Sequence, residues 1–118
     1  MEQSKALPAL SALANEARLD LIKLLIGAGQ AGLCAGAISK NLGISASRLS
    51  FHLSTLEQAN LIQSRKSARN VIYSVNPAGL GGTISYLLND CCQENPEVVA
   101  CCRAPSSQDR PNLPVLES

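Results

Sequence analysis

Residues 44–75 read ISASRLSFHLSTLEQANLIQSRKSARNVIYSV, and this stretch decides the fold. Its first half predicts a helix, because either Ser45 or Ser47 can cap an N-terminus and leucines recur at helical spacing after them. The leucines expected to face the core are Leu49, Leu53 and Leu56. A shorter helix is predicted just before, from about Cys34 to Asn41, and Gly43 ends it. The pair reads as a helix-turn-helix.

The outward face of the second helix determines what this motif can bind. It combines small hydroxyls with side chains that can donate to phosphates or to base edges in a DNA major groove. The residues on or capping it that we predict to contact DNA are Ser45, Ser47, Arg48, Ser50 and His52, with Phe51, Ser54 and Thr55 beside them. Taken alone, such a face is more typical of a solvated surface, so the residues that follow are decisive.

Two short β-type runs, 61–65 and 71–75, follow the helix and are separated by Lys66-Ser67-Ala68-Arg69-Asn70. This order predicts a β-hairpin with a basic tip, in which Arg65, Lys66 and Arg69 can lie along phosphates. A helix-turn-helix continued into a basic hairpin is a winged helix, and that order is far more specific than either element alone. The predicted fold class is therefore mainly α with a small β-hairpin, and nucleic-acid binding is the leading interpretation.

Composition and charge agree with a small DNA-binding domain. The chain has 118 residues, 46% of them apolar and 3% aromatic, which favours one domain with an aliphatic helical core. The net charge is only +1, but residues 45–75 hold four basic side chains against the single acid Glu57. No apolar run approaches the roughly 20 residues that a membrane span needs, and no signal stretch opens the chain. We therefore expect a soluble, cytoplasmic protein with reduced thiols and no membrane partner.

The remaining helices are predicted from caps and periodicity. A short helix is expected over 8–13, and Asn15 is expected to cap a second one that ends at Gly27 and Gly29. In that helix Arg18, Asp20 and Lys23 are expected to face outward, opposite a buried face of Leu21, Ile22, Leu24 and Leu25. A last helix is predicted over 77–90, with Gly79, Gly81 and Gly82 either allowing close backbone approach or weakening its start.

Several motifs together resemble the ArsR family of arsenic- and metal-responsive winged-helix repressors. They are LANEARLDLI at 13–22, residues 44–53 with SFHL at 50–53, residues 56–62, and the 69–75 strand that contains Tyr73, and the resemblance spans about residues 7–92. It implies a homodimer that binds a two-fold palindromic operator of an arsenic-resistance operon and is released by an inducer. It also implies that the first and last helices form the dimer interface. The first helix would contribute Leu7, Leu10 and Leu13, which can equally belong to the core of one chain.

Four of the five cysteines form two adjacent pairs, Cys91-Cys92 and Cys101-Cys102. The family's founding metal box has two thiols at the start of the third helix, whereas here Gly36 stands where the second thiol would be. Cys34 is therefore interpreted as a small, partly buried helix residue. The sensor is predicted to lie at 91–102, after a DNA-binding and dimerisation domain over 1–92 and before a flexible tail over 103–118.

Soft trivalent metalloids are the inducers that this thiol cluster favours. Trivalent arsenic and antimony prefer a pyramidal shell of three thiolates, and Asn95-Pro96 can initiate a turn between the pairs. Cys91 and Cys92 with one thiol of the second pair are the predicted ligands, within one chain or across the dimer. Methylarsenite, with one valence occupied by carbon, needs only two thiols. No constitutive cofactor is expected.

Three alternatives remain open from the residues alone. Zinc, cadmium or lead can take a four-thiolate site if both cysteine pairs converge. Thiol oxidation can release DNA through disulfides. A thiol enzyme or metalloid carrier belongs to a different class, but no phosphate-binding glycine loop is present and the single histidine, His52, is distant in sequence from the cysteines. The chain is accordingly predicted not to be an enzyme.

Overall fold

The computed structural model of the protein describes residues 2–91 and 95–102. Six α-helices and three strands are described in these ranges: α1 Gln3–Leu13, α2 Glu16–Ala28, β1 Leu33–Cys34, α3 Ala35–Leu42, α4 Ala46–Gln58, β2 Ile62–Ser67, β3 Asn70–Val75, α5 Pro77–Ser85 and α6 Pro96–Cys102. A 3₁₀ turn, Gly29–Ala31, precedes β1, and a π-helical segment, Tyr86–Cys91, follows α5. The predicted class, a mainly helical winged helix-turn-helix, is confirmed.

The chain divides into two compact units, residues 1–86 and 87–118. The first contains the helix-turn-helix and the sheet, and the second contains α6. Predicted boundaries at 91–92 and 103 stay predictions, and the predicted tail, 103–118, lies outside the described residues. Within the ranges that the structure describes, no helix combines the length and apolar character needed to cross a bilayer.

Side-chain caps set the start of the helices, largely as predicted. The Asn15 side chain accepts a hydrogen bond from the backbone of Arg18 at 3.1 Å, and that of Ser45 accepts one from the backbone of Arg48 at 3.3 Å. Helix α2 ends at Ala28 with Gly29, whose φ is 67°, as its C-cap, whereas Gly27 stays helical. Helix α1 begins at Gln3 rather than at Pro8, since burial of its alanines stabilises the earlier turns. These are Ala6, Ala9 and Ala12.

An aliphatic core is formed by residues of helices α1, α2, α3 and α4 and of the start of β2. Leu49, Leu53 and Leu56 are buried, as their spacing predicted. They pack in one cluster with Leu21, Ile22 and Leu25 of α2, Ile38 of α3, and Leu61 and Ile62. Leu24 is only partly buried and packs against this cluster. The core therefore fixes α4 through one face and leaves the opposite face of the helix free.

The turn between α3 and α4 is closed by local hydrogen bonds. Gly43 adopts the left-handed φ of 67°, and its N–H donates to the Ser39 carbonyl at 2.8 Å. The Ser39 hydroxyl in turn donates to the Ile44 carbonyl at 2.5 Å. Helix α3 begins at Ala35, so the interpretation of Cys34 as a helix residue is wrong. It is the N-cap residue and a strand residue, half-buried, paired with Ile72.

The sheet has three antiparallel strands in the order β1-β3-β2. The hairpin strands are longer than predicted, pairing Ile62 with Val75 at one end and Ser67 with Asn70 at the other. Strand β1, which was not predicted, covers the second edge of β3 over two residues only. Gly32 enables this, because its φ is 70° and a Cβ there would collide with the Tyr73 carbonyl.

Helix α5 begins at Pro77 as predicted but is shorter than the predicted 77–90, since α-helical geometry ends at Ser85 and π-helical geometry follows. Its start lies against the end of α4. A Cβ on Gly79 would overlap the carbonyl oxygen of Asn60, which confirms the prediction of close approach at this glycine, whereas one on Gly81 would meet nothing within 4 Å.

Candidate nucleic-acid interface

Helix α4 presents a polar face opposite its buried leucines. Ser47, Arg48, Ser50 and Ser54 are exposed on it, as predicted, and Ser45 caps its start. Phe51 is the most exposed large apolar side chain among the described residues, at 64%. The face thus combines hydroxyl donors, one guanidinium and one aromatic ring, which are groups able to contact phosphates and base edges.

The expectation that His52 lies on this outward face is wrong. Its side chain is 6% exposed and its Nδ1 lies 3.1 Å from Nη1 of Arg18. Because a guanidinium can only donate, Nδ1 accepts and the ring proton is assigned to Nε2. Arg18 was also expected to face outward, but its Nε donates to the Ala12 carbonyl at 2.7 Å. A continuous hydrogen-bonded path therefore links α1, α2 and α4, and this geometry does not support a direct contact of His52 with DNA.

The environment of His52 favours the neutral ring. Burial lowers the pKa of His52 below its usual 6.5, and the positive charges of Arg18 and Arg48 lower it further. In the folded state the ring therefore binds fewer protons than in the unfolded chain over the interval between its lowered pKa and about 6.5. The resulting stabilisation is fully present above that interval and is lost as the pH falls through it.

We expect acidification to destabilise the protein through this histidine. The urea midpoint should fall more between pH 7.5 and pH 5.5 for the wild type than for His52→Gln, since glutamine retains an acceptor for Arg18 and does not titrate. Chemical denaturation at both pH values measures this difference. An equal fall in the two proteins would contradict the assignment of a neutral, buried ring.

The hairpin tip consists of Ala68 and Arg69, and Lys66 is the penultimate residue of β2. Lys66 and Arg69 are exposed, as the predicted basic tip requires. Ala68 has a φ of 57°, a left-handed value that an alanine rarely adopts and that the two-residue connection imposes. Arg69 therefore lies in the short turn of the hairpin and Lys66 lies in β2 just before that turn.

Arg65 has a structural contact that the sequence did not predict. Its Nη1 donates to the Gln30 carbonyl and its Nη2 to the Ala31 carbonyl, both at 3.1 Å. These acceptors belong to the turn before β1, so Arg65 ties the hairpin to that turn. Its partners are uncharged, so its positive charge is retained beside those of Lys66 and Arg69.

The basic side chains of this surface are not neutralised by carboxylates. Across the part of the chain that the structure describes, Lys23 and Asp20, 3.9 Å apart on α2, form the one ion pair. Glu57, the single acid in 45–75, accepts a hydrogen bond from the Ser64 hydroxyl at 2.8 Å. Arg48, Lys66 and Arg69 are thus available to phosphates, which is the main source of nucleic-acid affinity.

The structure does not test the predicted thiol site. Cys92 lies outside the described residues, and of the side chains of Cys91 and Cys102 nothing is described. Cys101 is a free, exposed thiol in α6. Among the described side chains no three His, Cys, Asp or Glu groups come together as metal ligands, but three of the four predicted thiols are not among them. The predicted sensor therefore stays a prediction.

Helix α6, which ends with the second cysteine pair, was not predicted. The Asn95 side chain caps it, accepting from the backbone N–H groups of Glu97 at 2.9 Å and Val98 at 3.1 Å. The turn expected at Asn95-Pro96 is therefore a helix start, with Pro96 at the first helical position.

Sequence reasoning missed the structural roles of Arg18 and His52, although a signal was present. His52 stands three residues after Leu49 and four before Leu56, and Arg18 stands three before Leu21. Both positions therefore belong to the buried stripe of their helix by spacing. Their polar chemistry suggested exposure, and only the meeting of the two side chains made burial favourable.

Comparison with known proteins agrees with this geometry. The family model of bacterial regulatory proteins of the arsR family matches residues 15–64. The chain is 35% identical over 92 residues to the transcriptional activator HlyU of Vibrio cholerae, spanning 78% of this chain and 82% of HlyU. The solved structure of HlyU superposes with a TM-score of 0.61.

Two further proteins extend the comparison. The chain is 31% identical over 78 residues to the transcriptional repressor SdpR of Bacillus subtilis, which spans 66% of this chain and 83% of SdpR. The homodimeric winged helix-turn-helix DNA-binding domain Mb0332 of Mycobacterium bovis has a TM-score of 0.59 at 21% identity, over 87% of this chain and 89% of that domain. The last likeness concerns the fold alone.

Proposed function

Because this chain belongs to the ArsR family of bacterial regulatory proteins, we propose that it represses an arsenic-resistance operon by binding a two-fold operator as a homodimer. It is a DNA-binding transcriptional regulator, and similarity to regulators gives no support to the thiol-enzyme alternative. Repression rather than activation is itself part of the proposal, because HlyU is named an activator and SdpR a repressor. The proposed site of action is the cytoplasm, where operator DNA and reduced thiols are both present.

The exposed, uncompensated face of α4 beside the basic hairpin tip carries the DNA-binding part of the proposal. Arg48, Ser47 and Ser50 are presented on a helix whose opposite face is anchored in the core. In a winged helix this helix enters the major groove, and the hairpin follows the adjacent backbone. Lys66 and Arg69 then contribute phosphate contacts that set affinity and register.

Exposed apolar side chains on α1 and α5 support the proposed homodimer. Leu7 is 55% exposed and Ile84 is 45% exposed. The two helices pack against each other within one chain, and the Tyr86 hydroxyl donates to the Gln3 side chain at 3.3 Å. A second copy that covers these leucine and isoleucine side chains would form a two-fold dimer, and binding to a two-fold operator would require its two α4 helices to lie about 34–36 Å apart, one turn of DNA.

We propose trivalent arsenic or antimony, inorganic or methylated, as the inducer, bound by Cys91 and Cys92 together with one thiol of the pair Cys101 and Cys102. The support is chemical, because thiolates are soft ligands and three of them satisfy a trivalent metalloid. Binding that reshapes the segment Tyr86–Cys91, at the end of the proposed dimer helix α5, would alter the spacing of the two α4 helices. A coupling of roughly 1–3 kcal/mol weakens operator affinity about 5- to 150-fold.

Operator binding and release test the proposal together. The reduced, full-length protein is used to select duplexes from a random library, and fluorescence anisotropy then follows the complex during titration with arsenite, methylarsenite, antimonite, zinc or hydrogen peroxide. Release by the trivalent metalloids is the expected result. Release by zinc or peroxide alone would show that the protein is a metal or redox switch instead. If no duplex is selected, the proposal that the protein binds an operator is wrong.

Cysteine substitutions locate the inducer site. We expect Cys91→Ser/Cys92→Ser to retain DNA binding and to lose release by arsenite, since only two of the four C-terminal thiolates remain in each chain. Cys101→Ser/Cys102→Ser should lose release by arsenite, which needs three thiolates, and keep release by methylarsenite. Cys34→Ser is the control, because Cys34 is a half-buried strand residue. Loss of the arsenite response in that control would contradict the C-terminal site.

A further inference from the structure

We propose that Phe51 reads the 5-methyl group of a thymine in the major groove and so determines part of the operator sequence. The inference rests on the proposed function, since it assumes that α4 enters the major groove. It goes further by assigning one base feature to one side chain. The assignment is built from the exposure of Phe51, the polarity of its neighbours and the way its ring is held.

Phe51 is an isolated apolar group on a polar face. Its side chain is 64% exposed. On a helix the neighbours of a residue stand three and four positions away, and for Phe51 these are Ser47, Arg48, Ser54 and Thr55. A protein partner would need a contiguous apolar patch, which these neighbours do not provide. A single ring among hydroxyls and a guanidinium is instead complementary to a polar surface that contains isolated apolar groups.

The major groove of DNA is such a surface. Each base edge there presents hydrogen-bond donors and acceptors, and thymine alone adds an apolar methyl group. The small side chains of Ser47, Ser50 and Ser54 allow the helix backbone to approach closely enough for a neighbouring ring to reach this methyl group. Arg48, on the same face, supplies a donor for an adjacent phosphate or guanine.

The ring of Phe51 is oriented by a buried partner. It meets the His52 ring edge to face, with centroids 5.6 Å apart and an interplanar angle of 62°. His52 is held in turn by Arg18, whose Nη1 lies 3.1 Å from its Nδ1. The contact restrains Phe51 before DNA is bound, so less side-chain entropy is lost on binding than for a freely rotating ring.

The test combines removal of the ring with removal of the methyl group. Duplexes selected by the wild type are prepared with each thymine of one half-site replaced in turn by deoxyuridine, which lacks only the methyl group. Affinities of the full-length wild type and of Phe51→Ala are measured by fluorescence anisotropy. At one thymine position, deoxyuridine should weaken wild-type binding about fourfold, the value expected for one buried methyl group.

Phe51→Ala should bind the thymine duplex at least about 15-fold more weakly, since the contact is lost in both subunits, and should show no difference between thymine and deoxyuridine at that position. Leu19→Ala is the matched control, because Leu19 is 46% exposed on α2, outside the proposed contact face. It should keep the fourfold effect. Unchanged urea midpoints establish that both variants are folded.

Two results would overturn the inference, and they are distinguishable. If every deoxyuridine substitution costs the wild type and Phe51→Ala the same, or costs the wild type nothing, Phe51 is not a methyl reader although the regulator still binds a specific operator. If the wild type selects no duplex at all, the proposed function fails and the inference fails with it.

Discussion

Replacing both Lys66 and Arg69 by glutamine is expected to weaken operator binding about 10²- to 10³-fold near physiological salt. The two cations are exposed at the hairpin tip and have no carboxylate partner within the described ranges. A homodimer loses four phosphate contacts through this change. Since each contact releases a counterion, the slope of log affinity against log salt should decrease in magnitude by about 3.5. Anisotropy titrations at several salt concentrations measure both quantities.

Lys23→Gln is the control for this change of charge. It removes a cation of the same kind from α2, where Lys23 is exposed and paired with Asp20 at 3.9 Å. Its affinity and its salt dependence should stay close to those of the wild type. An unchanged slope in the Lys66→Gln/Arg69→Gln variant would show that the hairpin tip does not lie along the DNA backbone.

Gly79→Ala is expected to destabilise the protein by about 3 kcal/mol or more, because the added methyl group overlaps backbone that cannot yield. The Cβ would lie inside contact distance of the Asn60 carbonyl oxygen. Asn60 is held in the left-handed region, at φ of 64°, and its N–H donates to the Glu57 carbonyl at 3.0 Å. A fall in melting temperature of about 10–20 °C should follow in thermal denaturation.

Gly81→Ala, two residues further along α5, should have the opposite effect. Its Cβ meets nothing within 4 Å, and alanine is favoured over glycine in a helix by about 0.5–1 kcal/mol. The two variants contain the same chemical change in the same helix. Equal melting temperatures would therefore contradict the close approach of α5 to the end of α4.

Much of the DNA-binding surface follows from local rules that a sequence displays. Ser45 caps α4, leucine spacing buries one face, and the hydroxyls and Arg48 consequently face outward. The hairpin was predicted because two β-type runs flank a short basic linker. Each of these rules involves residues within two turns of one helix or within one hairpin, so no distant contact can easily reverse them.

Other features depended on residues that are far apart along the chain. His52 became a buried residue because Arg18, 34 positions earlier, supplies its hydrogen bond. The hairpin is anchored by Arg65 through the Gln30 and Ala31 carbonyls, 35 and 34 positions earlier. Neither polar side chain carries a sequence signal for its partner, and burial of a polar group is favourable only once that partner is in place.

The sequence by itself determined the winged helix-turn-helix order, the aliphatic core face of α4, the outward hydroxyls and Arg48, and the basic hairpin tip, because periodicity, capping and turn chemistry act over a few residues. Only the tertiary structure decided that His52 is buried against Arg18, that β1 joins the sheet beside Gly32, and that Gly79 admits α5 to the backbone of Asn60. These outcomes depend on which residues distant in sequence come into contact. They also depend on whether each contact provides space, a hydrogen-bond partner or a steric collision.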